Sequence, residues 1–549
     1  MESHCIPYSR LPETTGILRD YIDHFDRVAT FYGSGSPFEP DSYRQLAESL
    51  RYVPETRAAL ARILLRQNRD FGASEQTLAS LDRFARPETV AVVSGQQVGL
   101  FSGPAFTLYK ALTAVRLAHH LSNQGVSSVP VFWLATEDHD LEEVAATTLL
   151  DDDYQPVPLG DAGTRSAPQS SVGYVRLSES VAETLTRLES VLPEGATRKQ
   201  LLGDLRTAYQ PGAPWGEAFG RLMARLLGRF GVILIDALDP ELHRLARPLF
   251  ERAISDARAL NARLQERARA LVDAGYHAQV HVGPESSLLF IEQDGNRRAL
   301  RLTGTAGEFN VEAGSSISAE DVRHLADSRP EAITPNALFR PVVQDALLPT
   351  IAYIAGPAEL AYHAQSAVLY PAFGRQQPVI FPRASFTLVD PRTGRLLDKY
   401  EISVDDVWQG PAHLAERIAA LSLSPGWQDR LERDEREIAL VLERLQSEVR
   451  AIDPTLLDAV EHTRQSIAGQ IEKLKGKITR SAFAGSEVLG RHQQALESFF
   501  LPGGHLQERS ISGIYFLGRA GYGVLDELLA RIPTDSACHH VLPFRYALP

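Results

Sequence analysis

Thr89-Val-Ala-Val-Val-Ser94 runs into Gly95-Gln-Gln-Val-Gly-Leu-Phe-Ser-Gly-Pro104, and a helical stretch from Ala105 to His119 follows. The β-branched run suits a strand buried on both faces, the glycines end it, and Pro104 fits a first helical turn. Strand, glycine loop and helix make one unit of a wound α/β sheet. Working outward, Val129-Pro-Val-Phe-Trp-Leu-Ala135 reads as a second strand and ends in the polar Thr136-Glu-Asp-His-Asp-Leu-Glu-Glu-Val144. Gly231-Val-Ile-Leu-Ile-Asp236 is a third, followed by Asp239-Pro240 opening a helix over Glu241 to Ala270. Thr350-Ile-Ala-Tyr-Ile-Ala355 and Pro378-Val-Ile-Phe-Pro382 complete the apolar runs. Strands alternating with helices predict a Rossmann-like parallel sheet with right-handed crossovers over residues 89–400.

The flanks read differently. Residues 1–88 are rich in helix formers, with Leu60, Ile63 and Leu64 at helical spacing, and predict a helical lead-in packed on the core. An insertion is expected at about 145–225, loop-like from Asp151 to Gly173 with Pro156, Pro158, Gly163 and Pro168, then helical around Val181 to Leu192. Alternation from Ala278 to Leu302, with a turn at Asp294-Gly295, predicts antiparallel hairpins decorating the sheet's edge. Beyond Pro425, Ile438, Leu442, Leu445, Val449 and Ile452 step by fours and threes, as do Ile467, Ile471, Leu474 and Ile478, with a break at Asp453-Pro454. Seams that narrow predict an antiparallel coiled-coil hairpin over 425–500. After Leu501-Pro-Gly-Gly504, the apolar Ile514 to Leu517 and Val524 to Leu529 predict that residues 501–549 return to the core.

Composition narrows the function. The chain has 549 residues, 44% hydrophobic and 23% charged, enough for a large core and an accessory domain. Lys plus Arg total 56 against 69 Asp plus Glu, and no basic stretch offsets that balance, which argues against a nucleic-acid partner. The first residues lack a basic and apolar leader, and no apolar run is long enough to span a bilayer, so neither secretion nor a membrane is expected. The two cysteines, Cys5 and Cys538, stand near opposite ends; no disulfide framework or four-cysteine zinc site is expected, and a reduced cytoplasm is the natural compartment.

Ligands of wound sheets gather beyond the carboxyl ends of the strands. There, Gly95, Gly99 and Gly103 allow close backbone approach, Ser94, Gln96 and Gln97 offer polar groups, and Lys110 could reach a phosphate or carboxylate. The glycine spacing is neither the dinucleotide nor the Walker pattern, so an ordinary turn with a solvated lysine is an equal reading. Glu137, Asp138, His139 and Asp140 form the most polar strand end. That many acids need a cation, a basic partner or a raised pKa, and His139 oriented by Asp138 or Glu137 could serve as a general base. Without a second histidine completing a zinc motif, no metal ligand set is assigned. Asn336, Arg340, Gln344, Glu359 and Tyr362 could line a polar pocket, with Arg340 holding a carboxylate or pairing with one of the acids. Lys475-Gly-Lys-Ile-Thr479 lies within the heptads and reads as a solvated helix face.

Ser94-Gly-Gln-Gln-Val-Gly-Leu, Gly103-Pro with Tyr109-Lys110, Val131-Phe-Trp before Glu137-Asp-His-Asp, Thr334-Pro-Asn with Arg340-Pro, and Gly356-Pro with Glu359 occur in an ordered set. In this set the chain resembles the bacillithiol-biosynthesis cysteine ligase family from about residue 85 to its end. Ala358 and His363 depart from the pattern, where a glycine and another aromatic are usual, which puts the shape of that loop in doubt. The resemblance implies a class I nucleotidyltransferase-like Rossmann core with inserted connecting segments, a C-terminal coiled coil, and homodimers formed with that coiled coil. It implies joining cysteine to the amino group of glucosaminyl-malate, with ATP as the expected activator and magnesium as the nucleotide's companion. In that reading Glu137, Asp138, His139 and Lys110 are catalytic, while Ser94, Gln96, Gln97, Gly99, Gly103, Tyr109, Asp140, Asn336, Arg340, Gln344, Glu359 and Tyr362 bind substrate. The alternatives are a non-catalytic nucleotide- or thiol-binding scaffold with a dimerising arm, and a nucleotidyltransferase acting on another carboxylic acid.

Overall fold

The computed structural model describes residues 3–161, 170–293, 295–311, 315–422, 427–484 and 486–546. The apolar runs form a five-stranded sheet in the order Val379–Pro382, Thr350–Ala355, Val90–Gln96, Ser128–Leu134, Ile233–Asp236. Every neighbouring pair is parallel, and Ile380, Tyr353, Val93, Val131 and Ile233 stand in register across it. All of them are fully buried, which is why these strands carry unbroken apolar runs instead of alternating ones. From Val90–Gln96 the chain adds strands on one side and later returns to add Thr350–Ala355 and Val379–Pro382 on the other. The order therefore reverses between Val90–Gln96 and Thr350–Ala355, and a crevice opens at that switch point.

The region from 278 to 335 departs from expectation. Its hairpins do not extend the edge of the parallel sheet; Ser315–Ser318, Glu308–Val311, Asn296–Leu302, Ser286–Gln293 and Ile333–Pro335 form a separate five-stranded antiparallel sheet. Of the expected turn, Gly295 has a φ of 74°, while Asp294 lies outside the described residues. Residues 279–282, expected to alternate as a strand, are bends and loop. In the insertion, Ala146–Leu150 pairs antiparallel with Pro156–Gly160. The prolines at 156 and 158 argue for a loop, yet a two-stranded edge tolerates residues without an N–H. Gly163 and Pro168 lie outside the described residues. The helix expected over 241–270 is two helices, Pro240–Ser255 and Ala257–Asp273, broken at Asp256, a residue type that competes with helical hydrogen bonds.

Helices Trp427–Ile452 and Leu457–Ala484 form the expected hairpin, with Asp453 capping the turn; Pro425 lies outside the described residues. Its seam is only partly covered: Leu442 is buried, but Ile438, Leu445 and Leu474 stay 38%, 43% and 52% exposed. Lys475 sits on the Leu457–Ala484 helix and pairs across the hairpin with Glu435 at 2.7 Å. Among the described residues no helix is long and apolar enough to cross a membrane.

The cysteine expectation is overturned. His4–Ile6 pairs with His539–Pro543, which pairs with Ser385–Val389 in a three-stranded sheet, and this brings Cys5 to Cys538 as a disulfide. Two cysteines 533 residues apart in sequence give no local signal of pairing.

Candidate active site

A cavity of about 650 Å³ lies at the switch point, lined by the strand ends at Gly95–Gln97, Glu137–His139 and Gly356–Glu359, and by residues of the antiparallel sheet. Gln97, His139 and Arg340, from three separate segments, share it.

Lys110 lies beneath the glycine loop. It is 1% exposed, so the solvated reading does not hold. Its ammonium donates to the carbonyl of Gly95 and to Oε1 of Gln96 at 3.0 Å, and pairs with Glu359 Oε2 at 2.6 Å. Burial pulls Lys110 down, and Glu359 opposes it; burial pushes Glu359 up, but the lysine and the Gly356 N–H hold that carboxylate below its ordinary range. Glu359 also accepts from Tyr353 at 2.7 Å. Arg340 donates to Tyr362 at 2.8 Å and to Gln344 at 3.0 Å, and through these its bonds lead to Glu359 and to Asp345 respectively.

The Glu137–His139 corner faces this basic side. Gln97 Nε2 donates to Asp138 at 2.7 Å and to Glu143 at 2.8 Å. Burial works against ionisation of Asp138, yet its hydrogen bonds with His139 and Gln97 hold it well below the usual carboxylate range. Glu137 is the reverse case: it is 4% exposed, its Oε2 has no hydrogen-bond partner among the described residues, and burial pushes its pKa up. Two adjacent carboxyls are thus driven apart in acidity, as sites that need both an acid and a base require.

His139 Nδ1 stands 2.9 Å from Nη1 of Arg297. A guanidinium has no lone pair, so toward Arg297 Nδ1 can only accept, whereas toward Asp138 Oδ1, 3.5 Å away, the same atom would donate. The contact with Arg297 favours the tautomer with the proton on Nε2, and the contact with Asp138 the form with a proton on Nδ1. Arg297, 8% exposed, is fixed by Thr334 and the Pro335 carbonyl and lies over the Phe290 ring.

The remaining residues sit elsewhere. Ser94 is buried and donates to the Ile354 carbonyl at 3.3 Å. Gly99 and Gly103 serve close packing: a Cβ on Gly99 would stand 2.8 Å from Gly103 Cα, and Gly103 has a φ of 65°. Tyr109 packs edge-on against Phe386. Asp140 caps the short helix Leu141–Val144, and Gln344 lies fully buried behind Arg340. Asn336 does line the cavity, although its amide is engaged with Ser287, Leu338 and Phe339. Ala358 lines the cavity as well, and His363 lies buried behind it, stacked on Tyr362. Sequence reasoning missed Arg297, Arg383, Tyr353 and Arg509, which also line the cavity. Arg383 was findable, because it directly follows the Val379–Pro382 strand; Arg297 is hidden in a hairpin whose two faces look alike in sequence. Among the described residues no group of three or more His, Cys, Asp and Glu is arranged to hold a metal ion.

Fold and cavity together define a Rossmann-like α/β protein with a charged switch-point site and a C-terminal helical arm. Residues 1–384 match "Bacillithiol biosynthesis BshC, N-terminal Rossmann-like domain" and residues 386–544 match "Bacillithiol biosynthesis BshC, C-terminal coiled-coil domain". The chain belongs to the BshC family. A relative from Solibacter usitatus, named "Putative cysteine ligase BshC", is 36% identical over 99% of this chain and 100% of its own length. Another of that name, from Koribacter versatilis, is 37% identical over 96% of this chain and 97% of its own.

Proposed function

We propose that this chain is a ligase that joins the carboxyl group of cysteine to the amino group of glucosaminyl-malate, the amide-forming step that completes bacillithiol. The observation that supports it most is the convergence of Gln97, Glu137, His139, Lys110, Arg340 and Glu359 on one cavity, in a family whose relatives bear a cysteine ligase name. A free carboxylate does not react with an amine at useful rates, and ATP supplies the activation. The cavity's guanidinium groups, Arg297, Arg301, Arg340, Arg383 and Arg509, suit anionic groups of substrate or nucleotide, with magnesium arriving on the nucleotide.

Within this reading Glu137 takes the proton that leaves the attacking nitrogen as the C–N bond forms. Its raised pKa makes it a better acceptor than Asp138, whose proton affinity is low. His139 Nε2–H donates toward the developing oxyanion, and Arg297 holds the ring in that tautomer. A base role for His139 would require its Nδ1 to leave Arg297. The protein acts in the cytoplasm, where its substrates are made, and forms homodimers through the arm, whose Leu440, Val441, Ile452 and Leu474 are more than half exposed. Purified protein given ATP, cysteine and glucosaminyl-malate should yield bacillithiol by mass spectrometry. A scaffold would give no product, and a nucleotidyltransferase acting on another acid would release pyrophosphate only with that acid.

A further inference from the structure

Cys5 and Cys538 are the chain's two cysteines, and they meet at the edge of the sheet that unites its termini. Cys5 is exposed and Cys538 partly so, and His540, opposite Cys5 in the strand register, has its Nε2 3.6 Å from Cys538 Sγ. From there a buried polar chain leads to the cavity. His539, next to Cys538, bonds Ser385 Oγ at 2.7 Å and Thr387 Oγ1 at 2.8 Å. Ser385 donates to Glu508 at 2.9 Å, and Glu508 pairs with the cavity residue Arg383 at 2.6 Å. From the N-terminal side, Tyr8 donates to the Arg383 carbonyl at 3.2 Å. Both ends of the cross-link therefore converge on one cavity arginine.

We propose that Cys5, Cys538 and His540 form a thiol–disulfide exchange site for low-molecular-weight thiols, and that its opening loosens the Arg383 side of the cavity. A small thiolate attacks the exposed Sγ of Cys5; the bond to Cys538 breaks, and its electron pair passes to Sγ of Cys538, beside the His540 ring. A second thiolate attacks the small-molecule sulfur of the mixed disulfide, releasing that molecule's disulfide and the Cys5 thiolate. In sum, one protein disulfide and two small thiols become two protein thiols and one small disulfide. In a reducing compartment such pairs are usually sensors, not staples. The exchange chemistry stands independently, whereas its meaning as control of thiol synthesis rests on the ligase reading.

The full chain is incubated in glutathione buffers of graded thiol-to-disulfide ratio, alkylated and weighed. The expected result is a smooth passage from the closed pair to two alkylated thiols, with a stable single glutathione adduct on Cys5 in Cys538→Ser. His540→Asn should slow opening at pH 7 by about 10-fold, through loss of the group that stabilises the departing thiolate. Amide hydrogen exchange in Ser385–Val389 should quicken on opening. A cysteine state indifferent to the buffer, an unchanged rate in His540→Asn, or unchanged exchange in Ser385–Val389 overturns the proposal. None of these readouts requires ligase activity, so a failed ligase assay alongside the expected mass results removes only the functional reading.

Discussion

The switch-point cavity and the helical arm handle charge in opposite ways. In the cavity, Lys110, Arg297, Arg340 and Arg383 are buried or nearly so, and each is held by specific partners. Along the arm, pairs such as Arg464–Glu461 and Arg436–Glu432 lie largely in water, and apolar residues share that exposure. Buried charges are strongly coupled because removal of one leaves its partner desolvated and alone; exposed ones are screened. The cavity should therefore be brittle and the arm tolerant.

The largest effect is expected at Arg383–Glu508, whose side chains are 5% and 1% exposed. Glu508→Gln strands the guanidinium and weakens acceptance from Ser385 and the Phe386 N–H, and should cost about 3–5 kcal/mol in urea unfolding. A loss below about 1 kcal/mol would put the pair in the class of surface contacts and break the contrast.

Asp345 sharpens it through pH. Burial pushes its pKa up to about 6, against the pull of hydrogen bonds from Tyr370 and Gln344. The folded state thus holds this proton more tightly than the unfolded chain, where the carboxyl titrates near 3.9. Its contribution to stability is fully present below about pH 4 and is lost as pH rises through about 6, a change of about 3 kcal/mol. Asp345→Asn should remove that slope, so the variant gains on the wild type by about 2 kcal/mol between pH 4 and 7, measured as paired unfolding curves.

Glu137 carries the contrast into catalysis. With its pKa raised by burial, a base at this position works only once ionised, so turnover should climb with pH until Glu137 has lost its proton. Glu137→Gln should lower turnover by about 100-fold, or about 2.7 kcal/mol, and flatten that limb of the profile. An unchanged profile would move the base elsewhere.

The parallel sheet was legible because strands buried on both faces must be apolar throughout, and the loops beyond them must then carry polar residues. Gln97, His139 and Glu359 follow from that rule, while Lys110 is read from the helix after the glycine loop and Arg340 from a rigid polar stretch before a strand; all five line the cavity. What stayed hidden depends on partners distant in sequence. Ser94 and Tyr109 sit at the right strand end or helix face but point into the core, a difference of orientation that composition cannot reveal. Arg297 enters the cavity from a sheet whose docking on the core leaves no periodic mark. His139 meets Arg297 and Asp138 at the same Nδ1, a competition between partners distant and near in sequence that only coordinates reveal.

The smallest effect belongs to the arm. Lys475, in the Lys-Gly-Lys stretch within the heptads, is on a continuous helix, its side chain is 18% exposed, and it bridges Glu435 and Glu472 at 2.7 and 2.9 Å. Those pairs raise its pKa although burial opposes them, and solvent screening limits what they contribute. Lys475→Gln should cost less than about 1 kcal/mol in thermal or urea unfolding and leave turnover within about 2-fold of the wild type. A large loss of turnover with stability intact would instead make this lysine a member of the reaction site. That result would require the arm to fold back over the cavity during catalysis, and the tolerance assigned to the arm would then hold for its stability but not for its chemistry.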